Sequence, residues 1–391
     1  MNRRALCPNV DWLGSIDWDR RLFDALVSTP YGTSYNAYLV RGQDKTVLVD
    51  TVDPAKKDDL FAQIEGVENI DAVVIQHVEQ DHSGTLPDLL DRYPEASVLA
   101  TPKAISMIED HLGVPADRVT SVEDGETFDL GGEQLEFLHT PWVHWPETML
   151  TYVRDQKVLL TCDLFGSHLA TSELFASGDS RAIPAAKRYF AEIMMPFSSA
   201  IRGYLDRLQS GRYPAEMIAP SHGPVVDHPE TILSAYREWS GEQPKNLAVI
   251  PYVTMHGSTK RMVEHLVSAL TDREIPVQPF DMTRTDLGDL AMSLVDAHTV
   301  VFAAPAALVG PHPVIVSVAY VVGALRPKLR TAAVIGSYGW ACQTEQRIQS
   351  LVKKPNLEWL SSVLIKGQPK KEDLEALGRL GDEIADRHSK G

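Results

Sequence analysis

Short runs of aliphatic and β-branched residues recur along the first part of the chain, separated by polar stretches too brief for long helices. Asn36–Gly42 (NAYLVRG), Lys45–Thr51 (KTVLVDT), Asp71–His77 (DAVVIQH) and Ala96–Thr101 (ASVLAT) have this character, as do Gln134–Thr140, Met149–Asp155 and Lys157–Asp163. Such residues fit a pleated, buried surface, so the pattern predicts strands in a sheet-rich α/β unit. From Ile183 to Gly211 the apolar positions instead recur every three or four residues, which predicts helix, with Gly211 placed to end it.

Ser240–Asn246 (SGEQPKN) is polar and carries one Gly and one Pro, and the boundary between two domains, 1–245 and 246–391, is expected there. Beyond it the rhythm becomes strand, loop, helix. Asn246–Val253 leads through Thr254–Thr259 into a helical pattern over Lys260–Ile275, and His298–Ala304 and Thr331–Ser337 follow as apolar strands. That alternation predicts a parallel sheet covered on both faces by helices.

Composition narrows the function classes. At 391 residues two domains are the natural expectation. No apolar run approaches the ~20 residues a membrane helix needs, and the N-terminal stretch lacks the apolar core of a signal peptide, so a cytoplasmic protein is expected. Three widely spaced cysteines, Cys7, Cys162 and Cys342, fit reduced thiols, and without a CxxC pair there is no rubredoxin-like iron site or zinc ribbon. The net charge of −16 opposes binding to nucleic acid. Residues 246–391 carry 16 Lys+Arg against 15 Asp+Glu, leaving 21 against 38 for the first part, where almost all the excess acid therefore lies.

Chemistry concentrates after the predicted strands. VVIQHVEQDHSG places His77, Glu79, Asp81 and His82 directly after an aliphatic run. Two imidazoles and two carboxylates so close suit a divalent transition metal, because a cation relieves the repulsion of the acids. The bland alternative is a solvated turn. The set weighs against it: His144 in TPWVHWPETM, Asp163 in VLLTCDLFG and His222 in MIAPSHGP occupy the same kind of position. In the second part, VTMHGSTKRM sets a Gly- and hydroxyl-rich turn before a helix, where backbone N–H groups can hold a phosphate. A plain capped helix start would look similar.

The order His-x-Glu-x-Asp-His, a His followed by Trp-Pro, an Asp after a strand and Ser-His-Gly resembles the flavodiiron proteins, or A-type flavoproteins, over nearly the whole chain. The resemblance implies a metallo-β-lactamase-like αββα sandwich (1–245) followed by a flavodoxin-like, doubly wound parallel sheet (246–391). Zinc hydrolases of the first fold usually carry His-x-His-x-Asp-His, so Glu79 in place of the second imidazole favours iron over zinc. Residue by residue, the family implies one iron held by His77, Glu79 and His144, a second by Asp81, His82 and His222, and Asp163 bridging them.

The resemblance also implies FMN, held by Thr254, Met255, His256, Gly257, Ser258 and Thr259 of the phosphate turn. Pro305, Ala306, Ala307 and Leu308 of one later strand end, and Ser337, Tyr338, Gly339 and Trp340 of another, would flank the ring. No GxGxxG fingerprint points to FAD instead. His256 stands where the family often has Tyr, and Ala306 where a hydroxyl residue is common. The implied activity is an oxidoreductase passing electrons through FMN to a non-haem diiron centre, reducing dioxygen to water, nitric oxide to nitrous oxide, or both. A zinc-dependent hydrolase fused to an electron-transfer module is the alternative. No rubredoxin-like segment follows, so a separate donor is expected, such as rubredoxin or a reduced deazaflavin coenzyme. A head-to-tail homodimer, or a dimer of such dimers, is expected as well.

Overall fold

The computed structural model describes residues 2–389. The chain folds into two compact units: one runs to Phe190 and resumes over Phe197–Glu238, and the other holds Ala191–Pro196 and the chain from Trp239 onward.

In the first unit two sheets lie face to face. The seven-stranded sheet has the order 4–7, 10–17, 33–41, 46–49, 72–74, 97–100 and 119–121; the five-stranded one runs 127–129, 134–139, 149–153, 158–162 and 217–220. Alternation along the strands sorts the side chains. Val47, Val49, Val74 and Leu99 point inward to meet Leu135, Phe137, Met149, Val158 and Leu160 of the second sheet. Leu48, Val73 and Val98 point the other way, onto Leu60, Leu86, Leu89 and Ile108 of the covering helices. Arg4–Cys7 and Val10–Asp17 form strands that the sequence pattern does not announce.

The helical stretch expected over Ile183–Gly211 is broken rather than continuous. It comprises helices Ala182–Tyr189 and Ser198–Leu208 with a wide turn and a tight turn between them, at Phe190–Met194 and Met195–Phe197. The second helix stops at Leu208, ahead of Gly211, which follows at φ 86°. Pro196 within the expected helix lacks a backbone donor, which fits an interruption there.

In the second unit five parallel strand positions stand in the order 277–281, 248–252, 299–303, 331–338 and then 358–359 with 363–366. Val249, Val300, Phe302 and Val334 face Leu290, Ile315, Val318 and Ile348 on one side. Ile250, Val301, Ala333 and Ile335 face Met262, Leu266, Leu377 and Ile384 on the other. This is the doubly wound arrangement, and its C-terminal strand ends form the crevice where such sheets bind ligands. Among the described residues no helix is long and apolar enough to cross a membrane.

Candidate metal centre and cofactor cleft

Each chemical side chain of the first unit stands just beyond a strand. His77 follows strand Ala72–Val74, and Glu79 precedes a one-turn helix, Gln80–Ser83, that carries Asp81 and His82; the sequence pattern suggested a plain loop there. His144 lies between strands Gln134–His139 and Met149–Val153, while Asp163 and His222 follow Val158–Cys162 and Met217–Pro220. All seven converge. His77, Glu79, His144 and Asp163 offer ligand atoms within 4.8 Å of one another, as do Asp81, His82 and His222.

Asp163 lies between the two groups with one oxygen toward each. Its Oδ2 is 3.5 Å from His77 Nε2 and 3.3 Å from His144 Nε2; its Oδ1 is 3.0 Å from His82 Nε2 and 3.4 Å from His222 Nε2. Glu79 Oε2 sits 3.1 Å from both His77 Nε2 and His144 Nε2, and Asp81 Oδ2 sits 3.2 and 3.1 Å from the His82 and His222 Nε2 atoms.

Electrostatics follow from that crowding. Burial opposes charge on His144, but proximity to Asp163 and Glu79 pushes it up to about 10; His82 reaches about 10 likewise, through Asp81 and Asp163. Burial would raise Asp163, yet the charge of His82 and the contacts to His144 hold it well below the usual carboxylate range. The buried oxygens of Asp81 and Asp163 and both nitrogens of His82 nevertheless lack aligned hydrogen-bond partners. Buried polar atoms are almost always satisfied, so this donor set fits a bound cation better than it fits the protons alone.

Several supporting residues escape sequence reasoning. Glu147, fully buried, accepts from His77 Nδ1 at 2.8 Å and from the Val78 amide at 3.0 Å, leaving His77 Nε2 to face the cluster. His222 Nδ1 likewise donates to the Ser34 carbonyl at 2.7 Å, leaving its Nε2 to face the cluster. Such contacts fix tautomer and ring orientation in metal-binding histidines. Asp24, at the exposed tip of the hairpin pairing Leu22–Phe23 with Val27–Ser28, lies within hydrogen-bond reach of Glu79. Partial burial and the Glu79 carboxylate push Asp24 up to about 6. His168, buried with Nδ1 2.9 Å from the Thr33 hydroxyl, packs on His222 with ring centroids 5.0 Å apart. Only the Glu147 position has a local signal: a carboxylate three residues beyond the histidine of TPWVHWPETM.

In the second unit a cleft of about 590 Å³ opens at the strand ends. Thr254, Met255, His256, Ser258 and Thr259 line it from the turn; Pro305, Ala306, Ala307, Leu308, Ser337, Tyr338, Gly339 and Trp340 line it from the later strand ends. Gly257 is not among the lining residues. It caps helix Ser258–Thr271 at φ 86°, a conformation glycine adopts without strain. Gly367 and Gln368 join the lining, beyond strand Val363–Lys366, which the sequence pattern did not reveal. The helix N-terminus with its hydroxyls suits a phosphate, and the apolar and aromatic walls suit a flat ring, so the residues fit an FMN-type ligand.

Fold and site together define a metallo-β-lactamase-like unit with a largely buried cluster of four histidines and three carboxylates suited to metal, joined to a flavodoxin-like unit. An ODP family beta lactamase model matches residues 33–223. The chain is 34% identical to a nitric oxide reductase of Moorella thermoacetica, covering 98% of each. It is 31% identical to an anaerobic nitric oxide reductase flavorubredoxin of Escherichia coli, covering 96% of this chain and 81% of the other. The solved rubredoxin oxygen:oxidoreductase of Desulfovibrio gigas superposes with a TM-score of 0.95 at 28% identity, covering 100% of this chain and 99% of that one. The chain belongs to the flavodiiron protein family.

Proposed function

We propose that this chain is an oxidoreductase passing electrons through FMN to a non-haem diiron centre that reduces nitric oxide to nitrous oxide, dioxygen to water, or both. The observation that carries it is the position of Asp163, one oxygen toward each of two donor groups of mixed imidazole and carboxylate. In this reading His77, Glu79 and His144 hold one iron, Asp81, His82 and His222 the second, and Asp163 bridges. Residues 1–245 form the diiron domain and 246–391 the FMN domain. When bound, the irons supply a site for a diatomic gas and FMN gathers electrons for it.

The protein's own contribution is placement and access. The side chains of His144 and Glu79 are 18% and 16% exposed, against 6% or less for the other five, so the gas approaches over that edge. Glu147 and the Ser34 carbonyl hold His77 and His222 with Nε2 inward. The amides opening helix Ser258–Thr271 bind the flavin phosphate, and Tyr338 and Trp340 flank its ring.

The names of the relatives support a reductase and do not favour the zinc hydrolase alternative. We place the protein in the cytoplasm, as a head-to-tail homodimer served by a separate donor such as rubredoxin or a reduced deazaflavin. The test is metal and flavin analysis of anaerobically purified protein with parallel assays of nitric oxide and dioxygen consumption. About two irons and one FMN per chain, with consumption of either gas, is the expected result. Zinc without iron, or no turnover of either gas, overturns the reading.

A further inference from the structure

The metal cluster has a sulfur at its edge. Cys162 Sγ, a His82 ring nitrogen and an Asp163 oxygen lie within 4.8 Å of one another, and all three residues are buried. Cys162 is a free thiol.

Its place in the pocket has a local cause. In a regular strand successive side chains point to opposite faces, so Cys162 and Asp163 should diverge. Two departures bring them together. The pairing of Val158–Cys162 with Met217–Pro220 shifts register between Leu160 and Cys162, and Cys162 adopts a left-handed φ of 47°. Bulges of this kind re-aim side chains, and left-handed non-glycine residues concentrate at functional sites. Consecutive residues therefore both reach His82.

One sulfur, one nitrogen and one oxygen make a softer donor set than Asp81, His82 and His222 do. Thiolate with imidazole selects borderline-soft ions that accept tetrahedral geometry, zinc above all, and leaves a fourth position for water. We propose that His82, Cys162 and Asp163 form an alternative site for a thiophilic divalent cation such as zinc. Because His82 and Asp163 belong to both donor sets, occupation of this site excludes the second iron. That exclusion, though not the site itself, depends on the diiron reading above. The step is an acid–base exchange without electron transfer: the cation–sulfur bond forms as the S–H bond breaks, and the proton leaves to water. Until then burial, with Asp50 and Asp163 close by, keeps the thiol neutral.

Cadmium is the probe, because sulfur ligation marks its spectra. The full-length chain with Cys7→Ser and Cys342→Ser, freed of metal anaerobically, retains Cys162 as its one thiol. Titration with cadmium should give a thiolate-to-cadmium charge-transfer band and a cadmium NMR resonance well downfield of the oxygen- and nitrogen-ligated range. Adding Cys162→Ser should abolish both and weaken cadmium binding roughly tenfold or more. If that variant does not fold, the NMR resonance of the parent decides alone. A resonance confined to the oxygen and nitrogen range, without the band, overturns the site. Ferrous iron offered after cadmium should bind at half its usual amount. Full iron uptake beside sulfur-bound cadmium overturns the exclusion, whereas failure of the cadmium-free chain to bind iron, with the sulfur signature intact, overturns the diiron reading and leaves the site standing.

Discussion

At the scale of single residues, the site is a set of charges that only a cation or bound protons can reconcile. Without metal, the protons sit on histidines: His82 and His144 are pushed up to about 10, against an ordinary value of ~6.5. A raised value means the folded chain holds the proton more tightly than the unfolded one. The stabilisation is then complete below pH ~6.5 and is lost as pH climbs through about 10. The melting temperature of metal-free protein should therefore fall between pH 7 and 10, and metal should remove that dependence by displacing both protons. A metal-free melting temperature that rises over this range would contradict the assignment. Glu147 reaches the cluster only through His77, whose Nδ1 it holds at 2.8 Å. Glu147→Gln keeps the shape and removes the charge, and should lower metal affinity about 10- to 100-fold, read by competition with a chelator, without loss of fold. Unchanged affinity would show that His77 needs no such orientation.

At the scale of elements, the sequence was legible where its pattern repeats and illegible where the partner decides the structure. Val47 to Val49 and Val73 to Ile75 announce buried strands because every position is apolar. Strand Val10–Asp17 escapes because Asp11, Ser15 and Asp17 dilute its pattern; it pairs along its whole length with Thr33–Arg41, which fixes it through tertiary contact. The seven candidate ligands could be read because each follows a recognisable run. Asp24 and His168 could not, since their roles depend on neighbours more than 30 residues away in sequence, and Glu147 showed only its spacing from His144, because its partner His77 lies 70 residues away. In the second unit the strand Thr331–Tyr338 carries a test of the same logic. A Cβ on Gly336 would stand 1.9 Å from the Ala304 carbonyl oxygen, too close for the adjoining strand to keep its place. Gly336→Ala should cost about 1–3 kcal/mol and release flavin, because Ser337 and Tyr338 follow directly at the cleft, while iron content holds. Iron lost in step with flavin would mean that the two units do not fold independently.

At the scale of the whole molecule, the proposed function requires electrons to cross from a flavin in the cleft of the second unit to irons in the donor cluster of the first. Exposed apolar side chains stand on each: Trp18, Leu22, Leu26, Tyr31 and Trp142 on the first, Met255, Leu308 and Trp340 on the second. The acidic first part and near-neutral second part permit docking without strong repulsion. Pairing two copies head to tail would set the flavin cleft of each against the metal cluster of the other, as the family resemblance implies. Such a dimer makes complementation possible. One variant, His77→Ala with His144→Ala, loses iron but keeps FMN; another, with the phosphate turn disrupted by Gly257→Asp and Ser258→Asp, loses FMN but keeps iron. Each alone should be inactive. Mixed dimers should recover part of the parent rate with nitric oxide or dioxygen, since the hybrid pairs an intact flavin with an intact diiron centre across the interface. Mixed dimers that form, shown by differently tagged chains purifying together, and yet turn over no faster than either variant alone would place the electron path within one chain instead.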